Sequence, residues 1–155
     1  MATEQLKLAN QLCFPLYAAS RLITRNYQPW LDELGITYPQ YLVLLVLWEH
    51  DGLTVNEISK KLILNTNTTT PLLKRLEAMG IVTRHRSGDD ERKVEITLTD
   101  KGRKMEQKAA GIPQKLSAGL IPEGMNEGDL IDLRDKLYTI IDFLSVKDSR
   151  HADEI

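Results

Sequence analysis

Between residues 54 and 99 the hydrophobic pattern changes its period, and this change restricts the fold more than any other feature of the chain. Thr54 stands three places before Glu57, the spacing of a capping box, and Ile58 and Leu62 form an i, i+4 apolar pair. A short helix is therefore expected over Val55–Leu62. A polar turn over 65–69 should follow. A second short helix then carries Leu72, Leu73, Leu76 and Met79 on one face and ends at Gly80. Pro71 belongs in its first turn, where a missing N–H does no harm. From Ile81 onward the period is two: 81–86 (IVTRHR) and 92–99 (RKVEITLT) read as strands flanking a polar tip, SGDDE. Helix, turn, helix and hairpin in this order make a winged helix-turn-helix, with the second helix placed for a major groove and the hairpin tip for the backbone or minor groove of DNA.

Helices are expected on both sides of this segment, giving a mainly α (α+β) class. Residues 6–34 have near-helical apolar spacing, with Pro15 and Pro29 as points of kink or restart and Gly35 as the stop. Thr37, Tyr38 and Pro39 open a helix that is apolar almost all round and so belongs in the middle of a domain. Thr99 to Gly102 start another helix, which Gly111 and Pro113 break or bend. From Asn126 an amphipathic helix runs to Ser145, with Leu130, Leu133, Leu137, Ile140, Ile141 and Leu144 on one face. The expected organisation is a winged helix-turn-helix DNA-binding domain over 35–111, a helical dimerisation region built from 1–34 and 112–148, and a flexible tail over 149–155.

Charge distribution agrees with a DNA partner better than net charge does. The whole chain carries -2, but residues 74–104 hold nine bases against six acids, whereas residues 123–155 hold four bases against nine acids. A local basic patch on a near-neutral protein still leaves an electrostatic footprint. Asn67, Thr68, Thr69 and Thr70 are short hydrogen-bonding groups at the start of the expected recognition helix, and Lys74 and Arg75 lie one turn on. Arg84 and Arg86 add charge on the first strand. Arg92, beside the tip, is placed to probe a narrow minor groove.

No phosphate loop, metalloprotease motif or serine elbow is present, and His50, His85 and His151 are scattered. No metal, cofactor or enzymatic turnover is expected. The longest apolar run, 41–48, falls well short of the ~20 residues that a membrane span needs. The first residues lack the features of a signal peptide, which leads to the expectation of a cytoplasmic protein. Cys13 is the single cysteine, so it forms no internal disulfide and builds no zinc site. Taken alone, a lone cysteine on an apolar helix reads more readily as a small core residue than as a sensor.

The run TPLLKRLEAMGIVTRHRSGDDERKVEITLTDKG, from Thr70 to Gly102, resembles the recognition helix and wing of MarR-type transcriptional regulators, with Asp90 and Arg92 forming the D-x-R of the wing. LCFPLYAASR, Tyr27 and LGITYPQYLVLLVLWE resemble the organic-hydroperoxide-sensing (OhrR-type) repressors of the single-cysteine branch. The resemblance covers nearly the whole chain. It implies a homodimer with interlocked terminal helices that reads a pseudo-palindromic operator in double-stranded DNA. It places the reactive thiol at Cys13, phenols that hydrogen-bond it across the dimer at Tyr27 and Tyr38 with Tyr17 nearby, and a minor-groove arginine at Arg92 positioned by Asp90. Arg84 falls among backbone contacts. Two positions depart from the family pattern: Pro15 replaces a helix former, and NTNTTT replaces an acidic-Ser-Gly lead into the recognition helix.

The implied chemistry starts from a thiolate. Free cysteine ionises near about 8.5, so sensing requires donors that stabilise the anion, and phenol O–H groups supply charge-assisted hydrogen bonds. An organic hydroperoxide would convert the thiolate to a sulfenic acid, which would go on to a mixed disulfide with a small thiol, to a sulfenamide or to overoxidation. Three rivals follow from the sequence. One is a MarR-type repressor released by a small aromatic ligand with Cys13 idle. The others are a peroxide-consuming enzyme, disfavoured by the missing resolving cysteine, and a winged protein-interaction module, disfavoured by the basic segment.

Overall fold

A computed structural model describes the backbone of residues 3–86 and 93–152, and side chains within those ranges up to residue 146. The expected polar tip, with Asp90 and Arg92, and residues 153–155 of the expected tail lie outside the described residues.

The expected N-terminal helix starts late. Residues Glu4–Leu6 and Leu8–Asn10 form single 3-10 turns, and α1 spans Cys13–Asn26. Pro15 is thus the third residue of α1, inside the first turn, where its missing N–H removes no helical bond. The helix restarts ahead of the proline rather than kinking at it. Pro29 sits in the first turn of α2, Gln28–Leu34, which closes on Gly35 in the left-handed region (φ 69°).

Helix α3, Tyr38–Glu49, opens with a capping box between Thr37 and Gln40. It is the centre of the first unit: Tyr41, Val43, Leu44 and Leu47 are all fully buried. Around it pack Leu31 of α2, Ile58 of α4 (Val55–Leu62), Leu73 and Leu76 of α5 (Thr66–Ala78) and Met105 of α6 (Asp100–Ala109). Thr54 caps α4 with the anticipated box, its hydroxyl accepting from the Glu57 N–H while the Glu57 carboxylate takes the Thr54 N–H at 2.8 Å.

The expected hairpin forms. Strands β2 (Val82–Arg86) and β3 (Val94–Leu98) pair antiparallel, Val82 opposite Leu98 and Arg86 opposite Val94. A two-residue strand β1, Leu53–Thr54, adds to the far edge of β3, giving the order β1-β3-β2. The sequence reading missed β1, because two residues carry no period. Inward Ile96 and Leu98 seal the sheet against the helices, and the Thr83 and Thr97 hydroxyls meet across it at 2.6 Å.

The root of the hairpin is tied down by polar contacts. The Asp51 carboxylate accepts the Leu98 N–H at 2.8 Å and pairs with Arg103 at 2.9 Å, while Arg103 also donates to the Leu98 carbonyl. The Trp48 indole N–H donates to the Gly102 carbonyl at 3.0 Å.

The contacts divide the chain into two units, Met1–Pro113 and Gln114–Ile155. Helix α7 spans Ile112–Leu120 and α8 spans Glu127–Ala152. In the second unit, Asn126 and Asp129 cap the start of α8 reciprocally, each backbone N–H donating to the other's side chain. Ile131, Leu133, Tyr138, Ile140, Phe143 and Leu144 of α8 are exposed. Among the described residues no helix is long and apolar enough to cross a membrane, and no group of His, Cys, Asp and Glu is arranged to hold a metal ion.

Candidate functional site

The polar stretch before the recognition helix proves to be its first two turns. Asn65 caps α5, its side-chain oxygen accepting from the Thr68 N–H at 2.9 Å and from the Thr68 hydroxyl at 3.0 Å. The threonines were expected in a turn, but this cap starts the helix at Thr66. Pro71 therefore lies inside α5 rather than in its first turn. It is exposed, and it has no N–H to donate to the Asn67 carbonyl one turn back.

The placement sorts the candidate contacts. Asn67, Thr68, Lys74 and Arg75 are exposed and share the outer side of α5 with Pro71, while Leu72, Leu73 and Leu76 turn inward. Thr70 is half-buried. Thr69 departs from expectation: it is 0% exposed, and its hydroxyl donates to the Asn65 carbonyl at 3.1 Å, so it supports the helix start and presents nothing outward. Pro71 joins the outer stripe unanticipated; an i, i+4 step from Asn67 was the available signal. Arg86 is exposed at the outer end of β2. Arg84 is half-buried and pairs with Glu77 at 3.5 Å, while its Nε is buried without a hydrogen-bond partner among the described residues.

The thiol lies elsewhere. Cys13 is the first residue of α1, free and exposed, among the exposed apolar side chains Leu12, Phe14 and Leu16. It is not the small core residue that a lone cysteine ordinarily is. Tyr17, one turn on, is exposed and carries Arg21 over its ring at 5.3 Å.

Tyr27 closes α1 and Tyr38 opens α3, and their rings meet at 4.9 Å. Tyr41, one turn after Tyr38, packs against both, at 5.7 Å from Tyr27 and 6.3 Å from Tyr38. Sequence reasoning missed Tyr41, although its i+3 spacing from Tyr38 was the signal. Burial, with Tyr38 and Tyr41 adding to it, pushes the Tyr27 phenol up to about 12. Burial also raises Tyr38 and Tyr41 above the usual phenol range. All three are hydrogen-bond donors at neutral pH.

The structure brings Tyr27 and Tyr38 together and sets both apart from Cys13 of the same chain. Cys13 and Tyr27 stand at opposite ends of α1, and fourteen helical steps of 1.5 Å separate them by roughly 21 Å.

A short helix, a helix with a polar outer stripe and an antiparallel hairpin anchored at its root define a winged helix-turn-helix transcriptional regulator. A family model described as transcriptional regulator SarA/Rot matches residues 25–109. The organic hydroperoxide resistance transcriptional regulator of Bacillus subtilis is 49% identical over 144 residues, covering 93% of this chain and 96% of that one. A structure of reduced AbfR bound to DNA is 41% identical with a TM-score of 0.75, covering 93% of this chain and 99% of that one. A structure of overoxidized AbfR bound to DNA is 42% identical with a TM-score of 0.71, at the same coverage. The chain belongs to the MarR-type regulators, in the organic-hydroperoxide-resistance branch.

Proposed function

We infer that the protein is a redox-sensing, DNA-binding transcriptional repressor of the cytoplasm, without enzymatic turnover, released from its operator when an organic hydroperoxide oxidises Cys13. The observation that carries this reading is the placement of an exposed thiol at one end of α1 and two adjacent protonated phenols, Tyr27 and Tyr38, at the other. The length of α1 keeps them apart within one chain, so the phenols are available to a thiol of a second copy. In a two-fold homodimer, a contact from Cys13 of one protomer to the phenols of its partner is made twice. The exposed apolar side chains of α1 and α8 supply surface for such an association, with 1–34 and 112–148 as the dimerisation region and 35–111 reading DNA.

The chemistry follows from the donors. Two phenol O–H groups stabilise the thiolate of Cys13. The thiolate attacks the terminal oxygen of a hydroperoxide, forming a sulfenic acid and releasing the alcohol, and a small thiol then displaces water to give a mixed disulfide. The phenols lose their anionic acceptor and bulk enters the dimer junction. The two recognition helices then no longer match half-sites spaced by about 34–36 Å. Asn67, Thr68, Thr70, Lys74 and Arg75 meet the major groove, Arg84 and Arg86 meet the backbone, and Arg92, positioned by Asp90, enters the minor groove.

A gel shift on promoter DNA, before and after cumene hydroperoxide, tests this with wild type and Cys13→Ser. Both should bind, and only the wild type should be released. An equal response of the two proteins would point to a second reading, in which a small aromatic ligand relieves repression. A cavity of about 270 Å³ bounded by Tyr41, Leu45, Trp48, Ala109 and Pro113 favours that reading. Absence of binding to any DNA at low salt would sink both.

A further inference from the structure

Helix α3 meets the phenol cluster at one end and grips the root of the wing at the other. Tyr38 is its first residue, and Tyr41, one turn on and 2% exposed, packs against both Tyr38 and Tyr27. Near the far end, Trp48 meets the Tyr41 ring edge-on at 6.2 Å, and its indole N–H donates to the Gly102 carbonyl of α6. Asp51, just past the helix, accepts the Leu98 N–H, and Arg103, paired with Asp51, donates to the Leu98 carbonyl. Leu98 is the last residue of β3. The end of the wing and the first turn of α6 are thus both clamped to the far end of α3.

The rod between the two ends is stiff. After Pro39 it contains neither proline nor glycine, the residues at which helices most often kink, and Val43, Leu44 and Leu47 are 0% exposed. Its 12 residues span about 18 Å. A tilt of about 5° about the middle of such a rod moves each end by about 0.8 Å, which exceeds the spread of about 0.5 Å over which N–H···O bonds hold. Displacement of the phenols therefore either carries the wing root along or breaks its clamps.

We propose that α3 is the lever of the redox response, with Trp48 and Arg103 as positioning residues that make the wing follow the phenols. Oxidation of Cys13 in a second copy shifts the Tyr27–Tyr38 pair, α3 tilts, and the clamps turn β3 and the start of α6 with it. The proposal rests on the redox reading above and deepens it, by stating how the signal leaves the phenols.

The test is the ratio of operator Kd between oxidised and reduced protein, the oxidised form being made with cumene hydroperoxide and free cysteine and verified by mass spectrometry. Wild type, Trp48→Phe and Arg103→Met are compared at one salt concentration, with circular dichroism to confirm folding. Both variants should oxidise at the wild-type rate, and in each the ratio should fall at least tenfold. Coupling between two sites is reciprocal, so operator DNA should also lower the pH at which Cys13 becomes reactive to iodoacetamide in the wild type, and this shift should shrink in both variants. Variants that bind operator more weakly in both redox states at an unchanged ratio, or that keep the full shift in thiol reactivity, show that the clamps only hold the fold and overturn the lever. A wild type whose two Kd values are equal removes the redox reading itself, before any variant is compared.

Discussion

Gly102→Ala should damage this protein even though it replaces the poorer helix former with the best one. A Cβ built on Gly102 would lie 2.3 Å from the Ile81 carbonyl oxygen and 3.0 Å from Leu98 Cδ2. The first contact is with backbone, so relief requires a shift of about an ångström by α6 or by the start of β2. Neither is free to move. The Gly102 carbonyl accepts the Trp48 indole at 3.0 Å, and its N–H donates to the Thr99 hydroxyl at 3.1 Å. The Ile81 carbonyl itself accepts both the N–H and the hydroxyl of Thr99, each at 3.0 Å. Overpacking costs about 1–3 kcal/mol, and each strained hydrogen bond costs about 0.5–1.5 more. The gain in helix propensity returns only about 1 kcal/mol. The net expectation is a loss of about 2 kcal/mol, read as a lower urea midpoint at unchanged slope and fixed protein concentration. Operator affinity should fall as well, because the contact sits at the root of the wing, while the rate of Cys13 oxidation should not change. A Gly102→Ala protein as stable as the wild type would refute the argument that close approach, rather than chain freedom, requires glycine here.

Three further outcomes can be checked. Thr54→Ala removes the hydroxyl that accepts from the Glu57 N–H and should cost about 1 kcal/mol in urea unfolding, with the α4 amides exchanging faster. The Tyr27 phenol titrates near 12 against an unperturbed 10.0, so unfolded chains lose this proton first as pH rises. The stability it contributes is complete below pH 10 and is lost between 10 and about 12. Absorbance at alkaline pH should show a late tyrosinate step that disappears in Tyr27→Phe, and a normal titration of Tyr27 would contradict its burial. Tyr38→Phe should slow loss of DNA binding after cumene hydroperoxide without weakening the reduced complex, followed by gel shift over time.

Local chemistry announced much of this fold. Thr54 and Glu57, Thr37 with Pro39, and Gly35 each mark a helix end by a hydrogen bond or dihedral that nearby residues dictate, and the period-two runs marked β2 and β3. Strand β1 was invisible because two residues become a strand only when β3 lies beside them. The start of α5 was misplaced because Asn65 and the threonines suit a turn and a cap equally well. Packing of Thr69 into the core settled the choice.

Sequence by itself determined the order of elements, the basic segment and the single thiol, because these follow from residue identity and short-range spacing. Tertiary structure decided what faces outward. It buried Thr69, exposed Cys13, gathered Tyr27, Tyr38 and Tyr41 into one cluster and left the Arg84 Nε without a partner among the described residues. Each of those outcomes depends on how elements distant along the chain pack against one another, which residue identity and short-range spacing do not encode.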